Sequence, residues 1–313
     1  MKGLPLLQFI GLLAVSLAFG CGDGSGSSGA GATGGGDVVF SADPPLVLDA
    51  DERPAEVAIP SDYDPEVTYP LLVILHGAGV TGSIQAGFFR LFNVVDEQQF
   101  VLVYPDGINN VWNATDACCD PTESVDDVGY ISGLIEEALV TYNTDPDRVY
   151  LMGHSNGGFM SFRMACERSD LVTGIVTLAA SVFQMPEDCQ PAELPVSALM
   201  VHGTDDPTIL FEGGSTGLGP YPSADETVAR LATRAGCDLG DTTALDNIDL
   251  SEDWDGAETE RVVYNSCDEG LQIERWTMRQ EIGCSSFTCN PHIPVFSADW
   301  AERTTDWLFA LSR

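Results

Sequence analysis

Basic residues are scarce in this chain. Thirteen Lys and Arg stand against 48 Asp and Glu, which leaves a formal charge of −35 over 313 residues. Such a surface repels phosphate backbones and anionic lipid headgroups, so a nucleic-acid partner is not expected. Histidine is scarcer still, at four residues, and any imidazole chemistry must draw on His76, His154, His202 or His292. Beyond Leu4 to Phe19 the sequence has no apolar run long enough to span a bilayer. Two Cys/His pairs at zinc-like spacing are lacking too: Cys118 and Cys119 are adjacent, and Cys284-x4-Cys289 has no second pair at suitable spacing. A structural zinc is therefore not expected, and no other metal or cofactor is called for.

What is present begins with a basic residue and an apolar stretch. Lys2 precedes Leu4 to Phe19, and the stretch closes in Leu17-Ala18-Phe19-Gly20-Cys21. This resembles a bacterial lipoprotein signal covering residues 1–20, with cleavage before Cys21 and acylation of its thiol. An ordinary secretory signal is the other reading, and both imply export. Gly22 to Gly36 is glycine- and serine-rich with nothing apolar to bury, so residues 21–36 read as a flexible tether. The only expected route to a membrane is thus an N-terminal lipid. Residues 37–313 read as one catalytic domain, because α/β domains of roughly 250 residues commonly stay single. Setting Cys21 aside leaves Cys118, Cys119, Cys166, Cys189, Cys237, Cys267, Cys284 and Cys289. An even set in an exported chain points to disulfides, whose pairing the sequence leaves open.

Continuous apolar runs at Pro70–Leu75, Phe100–Tyr104, Val149–Met152, Gly174–Leu178 and Val196–Val201 predict strands buried on both faces. Ala55 to Ile59 alternates as an edge strand does, and Arg261–Tyr264 and Leu271–Trp276 supply the last strand material. Val128, Ile131, Leu134, Ile135 and Leu139 make one apolar helical stripe, with Asp126 and Asp127 as caps at its start. Ser223 and Glu226 open another helix, and a last one is expected from about Ala298, capped by Ser297. Asp238 to Glu260 is strongly acidic and reads as a solvated insertion. Asp253-Trp254-Asp255-Gly256 within it lacks the remaining ligands of a calcium loop.

The chemistry centres on Arg148 to Met160, RVYLMGHSNGGFM. An apolar strand runs into Gly153-His154-Ser155-Asn156-Gly157, a G-x-S-x-G elbow, and a helix follows. A serine at the tip of so tight a turn takes strained backbone angles, and the glycines relieve crowding around it. The first helical amides point back at the serine, where they can stabilise negative charge. Val196–Val201 leads into His202-Gly203-Thr204-Asp205-Asp206-Pro207, where the G-x-x-D spacing selects Asp206 over Asp205 as the relay acid. His292 is the one histidine after that acid, and so the candidate general base. His76-Gly77-Ala78-Gly79 ends an early strand where a second oxyanion donor is expected. The candidate donors are the amides of Ala78 and Asn156, with His76 holding the loop.

With these residues in hand the chain resembles the secreted esterases grouped with feruloyl esterases, acetylxylan esterases and polyhydroxybutyrate depolymerases. The resemblance rests on LHGAG at 75–79, CC and then VDDVGY within 118–130, GHSNGG with the later AC within 153–166, HGTDD at 202–206 and YPSADETVARLATRAGC at 221–237. It implies an α/β-hydrolase fold, a mostly parallel central sheet with helices on both faces, and hydrolysis of carboxylic esters without metal. Such proteins usually carry the histidine in G-G-H-x-W-P-G, whereas this chain has CNPHIPVF, with a Cys284–Cys289 bridge expected to stiffen the loop. The expected function is a serine carboxylic ester hydrolase acting on feruloyl or acetyl esters of plant polysaccharides through an acyl-enzyme. The alternatives are a polyhydroxybutyrate or other polyester depolymerase, a serine peptidase, and a non-catalytic surface protein.

Overall fold

The computed structural model describes residues 39–119, 124–189, 194–279 and 289–313. In chain order the strands are β1 (Val47–Leu48), β2 (Ala55–Ala58), β3 (Tyr69–Leu75), β4 (Val101–Tyr104), β5 (Thr144–His154), β6 (Gly174–Leu178), β7 (Ser197–Gly203), β8 (Gly214–Ser215), β9 (Pro220–Tyr221), β10 (Thr242–Ile248), β11 (Thr259–Tyr264) and β12 (Ile273–Met278). The α-helices are α1 (Gly82–Phe88), α2 (Val95–Gln98), α3 (Asp127–Thr141), α4 (Asn156–Glu167), α5 (Ala224–Arg234) and α6 (Trp300–Phe309). One sheet runs in the order β1-β2-β4-β3-β5-β6-β7-β12-β11-β10, and β8 and β9 pair apart from it. Every neighbour from β4 to β12 is parallel, while the pairs at both ends are antiparallel.

The central strands are buried because both faces of the sheet are covered, which is why their sequences are continuously apolar rather than alternating. In β3 every residue is buried. Its Leu71, Val73 and Leu75 join one core, with Ile131 and Leu134 of α3, Phe159 of α4 and Val228 of α5. Leu72 and Ile74 join the other, with Ala86 of α1 and Trp300 and Leu308 of α6. This is the mostly parallel, two-sided arrangement expected of an α/β hydrolase. Cys166–Cys189 ties the last turn of α4 to the segment after β6, Cys237–Cys267 ties the chain after α5 to the β11–β12 connection, and Cys118 is bonded to Cys119. Cys21 and Cys284 lie outside the described residues, and with them the lipidation and the Cys284–Cys289 bridge.

Several local expectations are corrected. Asp126 caps α3 by accepting from the Gly129 amide, but Asp127 does not cap it. Its buried carboxylate pairs with Arg53 at 2.9 Å and accepts the Asn113 amide at 2.7 Å. The run at Ala55 is not an edge: β1 lies outside it. The acidic segment is not all insertion, since Thr242–Ile248 forms the opposite edge strand with six of its seven residues exposed. Helix α6 begins at Trp300 behind Asp299, and Ser297 Oγ instead donates to Asp299 Oδ1 at 2.6 Å.

Candidate active site

Ser155 joins β5 to α4 with φ 51° and ψ −120°, backbone angles that ordinary L-residues avoid. Its amide donates to the Leu178 carbonyl on β6 at 2.8 Å, which pins the turn to the neighbouring strand. A Cβ on Gly157 would run into the Leu75 and His76 carbonyls, so the residue two places after the serine must be glycine. Although Ser155 stands at the N-cap of α4, its side chain makes no capping bond. Among the described residues the hydroxyl has no hydrogen-bond partner, and it stands at the positive end of the helix dipole.

Asp206 follows β7 and touches the residue predicted to be its partner. His292 Nδ1 lies 2.9 Å from Asp206 Oδ2, and Asp206 is 2% exposed while Asp205 is exposed. The other oxygen of Asp206 accepts the Thr208 and Ile209 amides at 2.8 and 3.0 Å. Burial alone would raise its pKa, but the His202 and His292 imidazoles outweigh burial and hold the carboxyl well below the usual range. His202 Nε2 lies 3.6 Å from Oδ2 and spends its hydrogen bond on the Ile209 carbonyl at 2.7 Å. His292 is thus the hydrogen-bonded partner of Asp206. Gly203, at the end of β7, lets the His292 loop approach: a Cβ there would collide with the ring of Pro291. With Nδ1 donating to the carboxylate, Nε2 keeps its lone pair and, among the described residues, has no hydrogen-bond partner.

The predicted oxyanion donors are the unspent amides of their loops. The Gly77 amide donates to Gln85 Oε1 at 3.1 Å and the Gly79 amide to the Asn110 carbonyl at 2.8 Å. Among the described residues, the Ala78 amide between them has no acceptor, and neither does the amide of Asn156 in the first turn of α4. The sequence reading missed what holds these amides. The Asn156 side chain grips the backbone of Trp112, accepting its N–H at 2.7 Å and donating to its carbonyl at 2.9 Å. Trp112 Nε1 donates to the His76 carbonyl at 3.1 Å. His76 accepts the Gly107 amide on Nε2 at 2.9 Å and donates from Nδ1 to the Gly77 carbonyl at 2.8 Å. Burial lowers its pKa, so it serves the loop as a neutral brace. No local pattern in the sequence marks this support, because Asn156 and Trp112 are 44 residues apart.

Residues 70–215 match the family model of the α/β hydrolase fold. The acetylxylan esterase of Coprinopsis cinerea is 32% identical over 133 residues, 38% of this chain and 36% of that protein. Feruloyl esterase C of Emericella nidulans is 26% identical over 164 residues, 50% of this chain and 56% of that protein. The chain thus spans little more than half the length of these curated relatives, or less. The acetyl xylan esterase from Aspergillus awamori superposes over 82% of this chain and 93% of its own with a TM-score of 0.56 at 12% identity, a likeness of fold. The described chain has the α/β-hydrolase fold, and it is similar over 50% of its length to a feruloyl esterase and over 38% to an acetylxylan esterase.

Proposed function

We propose that this protein is a serine carboxylic ester hydrolase acting on feruloyl or acetyl esters of plant polysaccharides through an acyl-enzyme. The observation that carries the reading is the 2.9 Å contact between His292 Nδ1 and the buried Asp206 carboxylate. Asp206 follows β7 and Ser155 follows β5, and because β5, β6 and β7 are parallel the two residues lie at the same end of the sheet. His292 Nε2 takes the proton of Ser155 as Oγ attacks the ester carbonyl, and Asp206 stabilises the imidazolium that forms. The Ala78 and Asn156 amides hold the oxyanion, a contribution worth about 100- to 1,000-fold in kcat per donor. His292 then returns its proton to the departing alcohol, and water repeats the sequence to release the acid.

The names of the relatives support the substrate class. Export fits the disulfides, and a lipid on Cys21 with residues 21–36 as spacer fits the N-terminal pattern ahead of a single catalytic domain from residue 37. In the Ser155→Ala variant, p-nitrophenyl acetate turnover is expected near background with an unchanged unfolding midpoint; retained turnover overturns the assignment. Turnover of methyl ferulate and acetylated xylan above that of short polyhydroxybutyrate chains is the result expected for this substrate class.

A further inference from the structure

One buried side chain links the nucleophile elbow to the His292 loop without belonging to any of the roles assigned above. His154 is 6% exposed and immediately precedes Ser155. Its Nε2 lies 2.8 Å from the main-chain carbonyl oxygen of His292. A carbonyl can only accept, so Nε2 carries the proton and donates it. Burial, and then the neighbouring His292 ring, push the pKa of His154 down to about 3, which keeps the ring neutral and this donor in place. With the single proton on Nε2, Nδ1 has none to give, so its 3.3 Å approach to Gln85 Oε1, which accepts the Gly77 amide at 3.1 Å, is a packing contact and not a hydrogen bond. Phe88 and Phe89 wall the ring, with centroids 5.6 and 6.3 Å away, so a water is poorly placed to substitute.

The loop that carries His292 needs such a hold. Pro291 and Pro294 contribute no amide donors. The His292 and Ile293 amides bond back to Asn290, and the His292 ring goes to Asp206. Among the described residues, the bond from His154 is the one hydrogen bond between residues 290–294 and the nucleophile strand. We propose that His154 is a positioning residue that sets the spacing between Ser155 and His292 by holding the His292 carbonyl from the nucleophile elbow. This rests on the assignment of Ser155 and His292 above. That assignment fails if Ser155→Ala stays active, whereas the present one can fail in a fully active enzyme.

The test compares two amides of different reach. The nitrogen of His154→Gln extends to the place of Nε2, and that of His154→Asn only to the place of Nδ1. A displacement of about 1 Å in a reacting pair can cost about 100-fold. The expected result is therefore a loss of that order in kcat for His154→Asn, with KM for p-nitrophenyl acetate within about twofold and Ser155 labelling by a fluorophosphonate slowed by the same factor. His154→Gln is expected to recover most of the rate. Equal loss in the two folded variants, or a loss confined to KM, overturns the proposal. If His154→Asn does not fold, 15N-histidine NMR of the wild-type protein decides. A neutral His154 ring with a slowly exchanging Nε2–H between about pH 5 and pH 9 supports the tether, and an unprotonated Nε2 overturns it.

Discussion

Adjacent aspartates in this chain do different work because burial and partners, not residue type, set their chemistry. Asp206 is buried against His292, while among the described residues the exposed Asp205 accepts only the Thr204 hydroxyl at 3.1 Å. Asp206→Asn is expected to lower kcat with p-nitrophenyl acetate by about 10,000-fold through loss of the correct imidazole tautomer, and Asp205→Asn to stay within about twofold. The reverse result would move the relay to Asp205. The G-x-x-D spacing selected the aspartate that the fold brings to His292, because a turn is a local object. Asp126 and Asp127 show where local rules stop. The capping rule holds for Asp126 and fails for Asp127, whose partner Arg53 is 74 residues away.

At the scale of elements, the docking of α6 depends on a buried carboxylate in the sheet. Glu274 on β12 accepts Trp276 Nε1 at 2.6 Å and Trp307 Nε1 of α6 at 3.0 Å. Burial raises its pKa, so the site is tolerated through these two indole donors. Glu274→Ala leaves both indoles without their acceptor and is expected to cost about 2–4 kcal/mol, read as a lower urea midpoint. A cost under about 0.5 kcal/mol would mean that the indoles find other partners. The strands differ in how far they could be read. β3 and β7 are buried throughout and announce themselves as apolar runs. β10 has one buried residue, so no pattern separates it from an acidic loop, and its pairing with β11 makes it a strand.

At the scale of the molecule, buried neutral histidines tie stability to pH. Burial holds His154 at about 3 and lowers His76, whereas an unfolded chain protonates histidine near 6.5. Below about 6.5 the unfolded state binds more protons than the native state, so this stability is complete above that pH and is lost as pH falls toward 3. The slope is up to about 1.4 kcal/mol per pH unit for each such histidine. The urea midpoint should fall between about pH 6.5 and 5, where most carboxylates stay ionised, and less steeply in His154→Gln; parallel slopes would show that His154 does not carry the effect. The sequence by itself determined the strand–elbow–helix around Ser155 and the buried central strands, and it singled out Asp206, the aspartate that meets His292, since strained turns and two-sided burial leave marks in neighbouring residues. The tertiary structure alone decided that Asp127 pairs with Arg53, that Asn156 clamps Trp112, and that His154 reaches the carbonyl of His292. Each of these contacts joins residues far apart along the chain, and only packing fixes which buried polar group meets which partner.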